Sequence, residues 1–301
     1  TNEFMPVGRA TGTGTFDAHQ QLTSMKNGVY EITLNDYSNG DNVDLYVNGA
    51  FTPAQTGTLL PTTDATTSTN CLNGKYEQKI YGICSNAKLT IGMCSRTPLV
   101  AGNRFAAGNI KVVYREKNAD AMNALTNTFA AYMQRLDTIA KPYYKEYKTH
   151  MLAQLALAQS EETTTKYNAL VQLNLMSDSL QNSFLLYDSL SRETARLETL
   201  IERAISTGEI TEDAKQTLAE CQSVLENKDY TDKQVIALLA KIIDAVKGMF
   251  YHYNKGNGTE SDPYVIENAE QLEHMHDVLK RDTVVYFSLN NDVDMAGFNW
   301  T

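Results

Sequence analysis

The sequence predicts a multi-domain chain: an antiparallel β-sandwich, then an elongated all-α helical bundle, then the opening of a further domain that is unfinished at Thr301. Three observations carry this. From Gly28 to Tyr114, short Val-, Ile-, Tyr- and Leu-rich runs are punctuated by Gly, Asn, Asp and Ser, the pattern of half-buried strands. From Arg115 to about His252 the apolar spacing becomes helical. From Gly256 the chain turns to Gly/Asn/Asp-rich punctuation around short apolar runs. The 301 residues suffice for two or three domains. The expected boundaries are 1–116, 117–253 and 254–301.

In chain order, Thr1 to Gly14 is polar and Gly/Thr-rich, unlike the apolar core of a signal peptide, so an export signal or lipid anchor is expected outside this stretch. The expected strands are Val29 to Leu34, Val43 to Asn48, Tyr76 to Cys84, Leu89 to Cys94 and Ile110 to Tyr114. Ser85-Asn86-Ala87-Lys88 reads as a hairpin loop. Thr56 to Thr69, Thr-rich and holding Pro61, reads as a long surface loop.

Pro142 breaks the first helical run, and Ser160 to Thr165 marks a second boundary. Leu173, Met176, Leu180, Ser183, Tyr187, Leu190, Thr194, Leu197, Ile201 and Ala204 then fall on a three-four spacing, predicting one long helix with a buried seam. Gly208 stops it, and Thr211 can cap the next helix. Thr231-Asp232-Lys233-Gln234 has the form of a capping box, in which hydroxyl and amide reciprocally satisfy free backbone N–H groups. Val235, Leu238, Ile242, Val246 and Met249 line one face, matching Leu218, Cys221 and Leu225 before them.

A formal charge of −10 with no Lys/Arg run excludes a nucleic-acid backbone as partner. No apolar run reaches the about 20 residues that span a bilayer, so membrane contact is expected only through an anchor outside the sequence. Cys71, Cys84, Cys94 and Cys221 lack the CxxC spacing of zinc or redox sites. One disulfide among the first three and buried thiols are both compatible with the sequence, while Cys221 lies on a helical apolar stripe.

Gly28-Val29-Tyr30, Leu45-Tyr46-Val47-Asn48, Leu89-Thr90-Ile91-Gly92-Met93 and Ile110-Lys111-Val112-Val113-Tyr114 stand where core strands stand in galactose-binding-like jelly-roll domains of bacterial surface proteins, and the N-terminal third resembles that group. The resemblance implies a jelly-roll fold and no particular ligand. The group commonly has an Asn-Trp pair before its last strand, whereas Asn103 here precedes Arg104. Residues about 200–250 resemble a FIVAR-type helical hairpin, a spacer in bacterial surface adhesins. Gly256-Asn257-Gly258-Thr259, Asp262-Pro263-Tyr264-Val265-Ile266, Glu270-Gln271-Leu272 and Tyr286 to Gly297 resemble the entry to GLUG-type repeats, implying the truncated start of a right-handed β-helix.

Sugar recognition needs exposed aromatic faces beside amides, carboxylates or Arg. Tyr37, Phe51, Arg96, Asn103 and Arg104 fall in expected loops and are the candidate ligand-binding residues; edge packing for the aromatics and solvated surface for the rest is the simpler account of them. Asp36, Asn39, Asp41 and Asp44 cluster between two expected strands and offer oxygen ligands for a structural Ca²⁺, although the spacing is not that of an EF-hand and turn chemistry accounts for the same residues. No other cofactor is expected. His274 and His276, two apart on an expected helix, cannot face one ion. No nucleophile-base arrangement is evident, so no catalysis is expected. The expectation is a non-catalytic, exported bacterial cell-surface protein, an adhesin or glycan-capturing module that binds a glycan or a host or surface protein. The alternative is the accessory region of a polysaccharide-degrading enzyme whose catalytic β-helix lies beyond residue 301.

Overall fold

The structure, a computed structural model, describes residues 7–9, 13–39, 43–55, 64–95, 97–136, 141–207, 212–250, 253, 255–273, 275 and 284–295. Its content is mixed β and α. Packing gathers the chain into two compact units, Thr1–Lys141 with Lys145–Asn182, and Pro142–Tyr144 with Ser183–Thr301. The first unit therefore runs well past residue 116, where the change of period had suggested a boundary.

The first unit opens with β1 (Val7–Arg9), β2 (Asp17–Thr23), β3 (Gly28–Ser38), β4 (Val43–Val47) and β5 (Ala50–Pro53). Helix α1 (Asp64–Leu72) follows, then β6 (Glu77–Cys84), β7 (Lys88–Ser95) and β8 (Arg104–Glu116). Two antiparallel sheets result, in the orders β1-β8-β3-β6 and β2-β7-β4-β5. They share one core: Tyr30, Ile32, Leu34 and Ile80 from sheet one meet Val43, Leu45, Val47, Leu89, Ile91 and Met93 from sheet two. The period-two alternation of the strands places these side chains on the facing surfaces.

Two local expectations are corrected. Ser85 to Lys88 does not close a hairpin: β6 pairs with β3 and β7 with β2 and β4, so the loop crosses between sheets. The Thr-rich segment is not all loop, since Asp64–Leu72 is helical. The thiols of Cys84, Cys94 and Cys221 are not in disulfides.

Helices α2 (Ala119–Leu136) and α3 (Glu146–Leu157) follow the sheets, and α4 (Thr163–Thr207) contributes its first part to this unit. Helix α2 begins where Asn118 Oδ1 accepts the Ala121 N–H (3.0 Å), and α4 where Glu162 accepts the Thr164 and Thr165 N–H groups (2.8 and 2.5 Å). These bonds, with the Thr165 hydroxyl foremost, hold the exposed Glu162 carboxyl down at about 2.

In the second unit, α4 continues to Thr207 with α5 (Glu212–Asn227) and α6 (Asp232–Phe250). The seam expected from the spacing is the buried one: Tyr187, Leu190, Leu197 and Ile201 share a core with Ala214, Cys221, Val224, Val235, Leu238 and Ile242. Gln234 Oε1 accepts the Thr231 N–H (3.0 Å), as a capping box requires, but the Thr231 hydroxyl donates to the same oxygen (2.7 Å) rather than accepting from the helix. Beyond α6 come β9 (Tyr264–Ile266), α7 (Ala269–Glu273) and β10 (Phe287–Leu289). β10 pairs with β9 in parallel, Phe287 opposite Tyr264, and Tyr253 stacks on Tyr264 with ring centroids 4.6 Å apart.

Candidate functional site

Several residues singled out from the sequence are placed in packed structure rather than in loops. Tyr37 lies on β3, fully buried, because the strand extends to Ser38 and Tyr76, Ala106 and Leu72 close over the ring. Phe51 lies on β5, 6 % exposed, between Tyr46 and Tyr132 with ring centroids 5.4 Å from each. Neither presents the open face that stacking on a sugar ring demands. Asn103 and Arg104 do meet Asn39, as loop construction: Asn39 Oδ1 accepts the Arg104 N–H (2.6 Å), and Asn103 Oδ1 accepts the Val100 N–H (2.9 Å).

Three of the four residues considered for Ca²⁺, Asp36, Asn39 and Asp44, are directed to different partners. Asp36 accepts the Gln55 N–H (2.7 Å), and burial pushes its carboxyl up to about 7. Asp44 pairs with Arg135 (2.6 Å), and Asn39 is held by Arg104. A cation would have to displace these bonds. Among the described residues no group of three or more His, Cys, Asp or Glu is arranged to hold a metal. Arg96, Asp41, His274 and His276 lie outside the described residues.

The structure instead forms a polar cavity of about 250 Å³ on the outer face of sheet two, beneath α4. Tyr46 on β4, Gln21 on β2 and Thr90 on β7 form its floor. Asn174 and Asp178 on α4 form its roof, with Asn86 and Lys88 at the crossing between sheets. Two glycines build it. A Cβ on Gly92 would overlap the Tyr46 ring, so only glycine lets that ring lie across β7 and bring its hydroxyl to Asp17 on β2 (2.6 Å). A Cβ on Gly49 would strike the Asn174 carbonyl, and the Gly49 N–H donates to Asn174 Oδ1 (2.8 Å), pinning the β4–β5 turn to α4.

Burial, with the Asp17 carboxylate second, pushes the Tyr46 phenol well above its ordinary range, so it stays a neutral donor. Asn48, in the left-handed region at φ 50°, accepts the Thr90 N–H (2.8 Å) and donates to the Ile83 carbonyl (2.7 Å). Asp178 differs from these. Its residue surface remains open to solvent, yet the atoms packed around the carboxyl push it up to about 6. Among the described residues this carboxylate has no hydrogen-bond partner. The cavity thus offers a titratable acceptor beside an amide, an ammonium and hydroxyls, a set suited to a small neutral ligand rich in hydroxyl groups.

Sequence reasoning passed over all of these residues. Two signals pointed toward them: Asn48-Gly49 between strand-like runs marks a turn, and Gly92 within a strand marks a close approach. No protein-family model, curated protein or solved structure matches the chain. Among the described residues no helix is long and apolar enough to cross a membrane.

Proposed function

We propose that the protein is a non-catalytic binding and presentation protein of the cell-surface adhesin or glycan-capturing kind, and that the polar cavity of the first unit is its ligand seat. The observation that carries the reading is Asp178, a carboxylate facing a cavity of amides and hydroxyls with no partner of its own among the described residues. Saccharide hydroxyls would take the place of water as donors to it. On this reading the two facing sheets are the jelly-roll module, and α4 to α6, with their shared seam, are the helical spacer. The parallel β9–β10 pair is the first turn of a β-helix, since solenoid coils pair equivalent strands in parallel register.

The test is a glycan array probed with the full chain and with Asp178→Asn. A shortened fragment ending at 116 would lack the roof of the cavity. Saturable binding that weakens at least about tenfold in the variant supports the proposal, an effect of the size expected for one charge-assisted hydrogen bond. Binding should also strengthen as pH rises from 5 to 7, because the ionised carboxylate is the stronger acceptor and titrates near 6. Silence of the wild-type chain across the array, or equal binding by the variant, would overturn the assignment.

A further inference from the structure

The other face of sheet two holds a second cavity, apolar where the first is polar. It measures about 420 Å³ and lies between the sheets at the β2 edge, within the size range of small-molecule sites. Two features of the sequence open it. The inward positions of β2 are Ala18, Gln20 and Leu22, opposite Met93, Ile91 and Leu89, so a small and a polar residue stand where a sandwich edge needs bulk. Ala18 and Gln20 consequently remain exposed.

Across the gap β8 carries a bulge: Thr33 pairs with Lys111 and Asn35 with Gly108, leaving Asn109 and Ile110 opposite Leu34 alone. Asn109 takes the left-handed conformation at φ 52°, and Ile110 is 46 % exposed on the face that otherwise points to the core. Bulges of this kind re-aim side chains beside binding sites. Leu34, Ile91 and Met93 form the floor, while Phe16 and Phe105, stacked at 3.8 Å, close one end.

We infer that this cleft binds one hydrocarbon chain bearing a neutral hydroxyl or amide end. The walls are aliphatic, and Met93 is the side chain best able to adapt to a flexible chain. Among the described residues no Lys, Arg, Asp or Glu lines the cleft. The polar side chains among them are Gln20 and His19, whose Nδ1 lies 3.1 Å from the Asp17 carboxylate. Among these residues an anionic head would meet no lysine or arginine and would approach Asp17, and the chain as a whole carries −10. The site is independent of the polar cavity and of its proposed ligand.

The experiment titrates the full chain with the neutral apolar dye N-phenyl-1-naphthylamine and displaces it with dodecanol or with laurate. The expected result is saturable fluorescence enhancement reversed by dodecanol and not by laurate. Ala18→Trp fills the gap from an exposed position, and Ile110→Glu puts a charge at its mouth; each should weaken dye binding at least about tenfold with the circular dichroism spectrum unchanged. Asp178→Asn should leave it unaltered, which separates this site from the polar cavity. Absence of saturable binding, equal displacement by laurate, or binding unaffected by both cleft substitutions would overturn the inference. So would a dimer that Ala18→Trp returns to monomer, since the cleft would then seat a second copy.

Discussion

The two sheets of the first unit have four strands each, but their outer faces are finished in different ways. Sheet two is covered over β4 and β5. Phe51 packs on Tyr132 of α2, Asp44 is 3 % exposed against Arg135, and Gly49 is bonded to α4. Sheet one is packed by α1 at one end and by α2 against β3 and β6, and its buried Glu31 is held between two half-exposed partners, Lys79 (3.1 Å) and Arg115 (3.0 Å). A covered face can hold a cavity because helix and sheet meet at fixed points, here Gly49 and Arg135, and stand apart between them.

The contrast predicts unequal costs for similar ion pairs. The Arg135 guanidinium donates to both Asp44 and the Phe51 carbonyl, and both partners are largely withdrawn from water. Arg135→Ala removes the guanidinium from the buried Asp44 carboxylate and should destabilise the first unit by up to about 3–5 kcal/mol. Amide exchange of β4 and β5 peptides, followed by mass spectrometry, should accelerate by up to roughly two to four orders of magnitude. Arg115→Ala removes a half-exposed partner from Glu31 while Lys79 remains, and should cost less than about 1 kcal/mol. Equal acceleration in the two variants would remove the distinction between the faces.

Buried acids sharpen the comparison further. Asp44 of sheet two meets a guanidinium, whereas Asp36 of sheet one accepts the Gln55 backbone N–H, which only partly offsets the burial that raises it to about 7. A carboxyl whose native value is raised holds its proton in the folded state while the unfolded chain has released it. Stability from this group is therefore full below about pH 4, falls as pH rises toward 7, and is level above that. The loss is on the order of 4 kcal/mol. Asp36→Asn keeps an acceptor for Gln55 and should flatten the slope between pH 4 and 7 when urea unfolding of variant and wild type is compared. Parallel curves would show that Asp36 is ionised at no cost in the native state.

What was legible in the sequence follows the range of the contacts. The seam of α4 could be read because residues three and four apart share a helix face, so Leu180, Tyr187, Leu190 and Leu197 reveal their burial locally. The core runs of β3, β4, β6, β7 and β8 showed through their own local pattern, short β-branched and aromatic runs whose alternate residues share a sheet face. Strand partners did not: Ser85 to Lys88 has hairpin composition, and only distant pairing sends β6 and β7 to different sheets. Asn35-Asp36-Tyr37-Ser38 reads as a turn, since buried Asn and Asp are uncommon, yet it is the end of a strand. The polar cavity was least legible. It joins Tyr46 to Asn174 and Asp178 on a helix far along the chain, and no local period announces that meeting.

Gly92 tests whether that cavity depends on one missing side chain. Tyr46 reaches Asp17 only by crossing β7 at this residue, and a methyl group there must displace the ring. Gly92→Ala should cost about 1–3 kcal/mol through overpacking, partly offset by the lower backbone entropy of alanine in the unfolded chain. Its larger consequence is functional: the phenol that forms part of the cavity floor would move, and any ligand bound there should be lost together with the Tyr46–Asp17 bond. Tyr46→Phe separates the two effects, because it deletes the hydroxyl while the ring stays across the strand. Glycan binding that survives Tyr46→Phe but not Gly92→Ala would make the ring the important element, whereas loss in both would assign that role to the hydroxyl. Survival in both would place the ligand away from the covered face of sheet two.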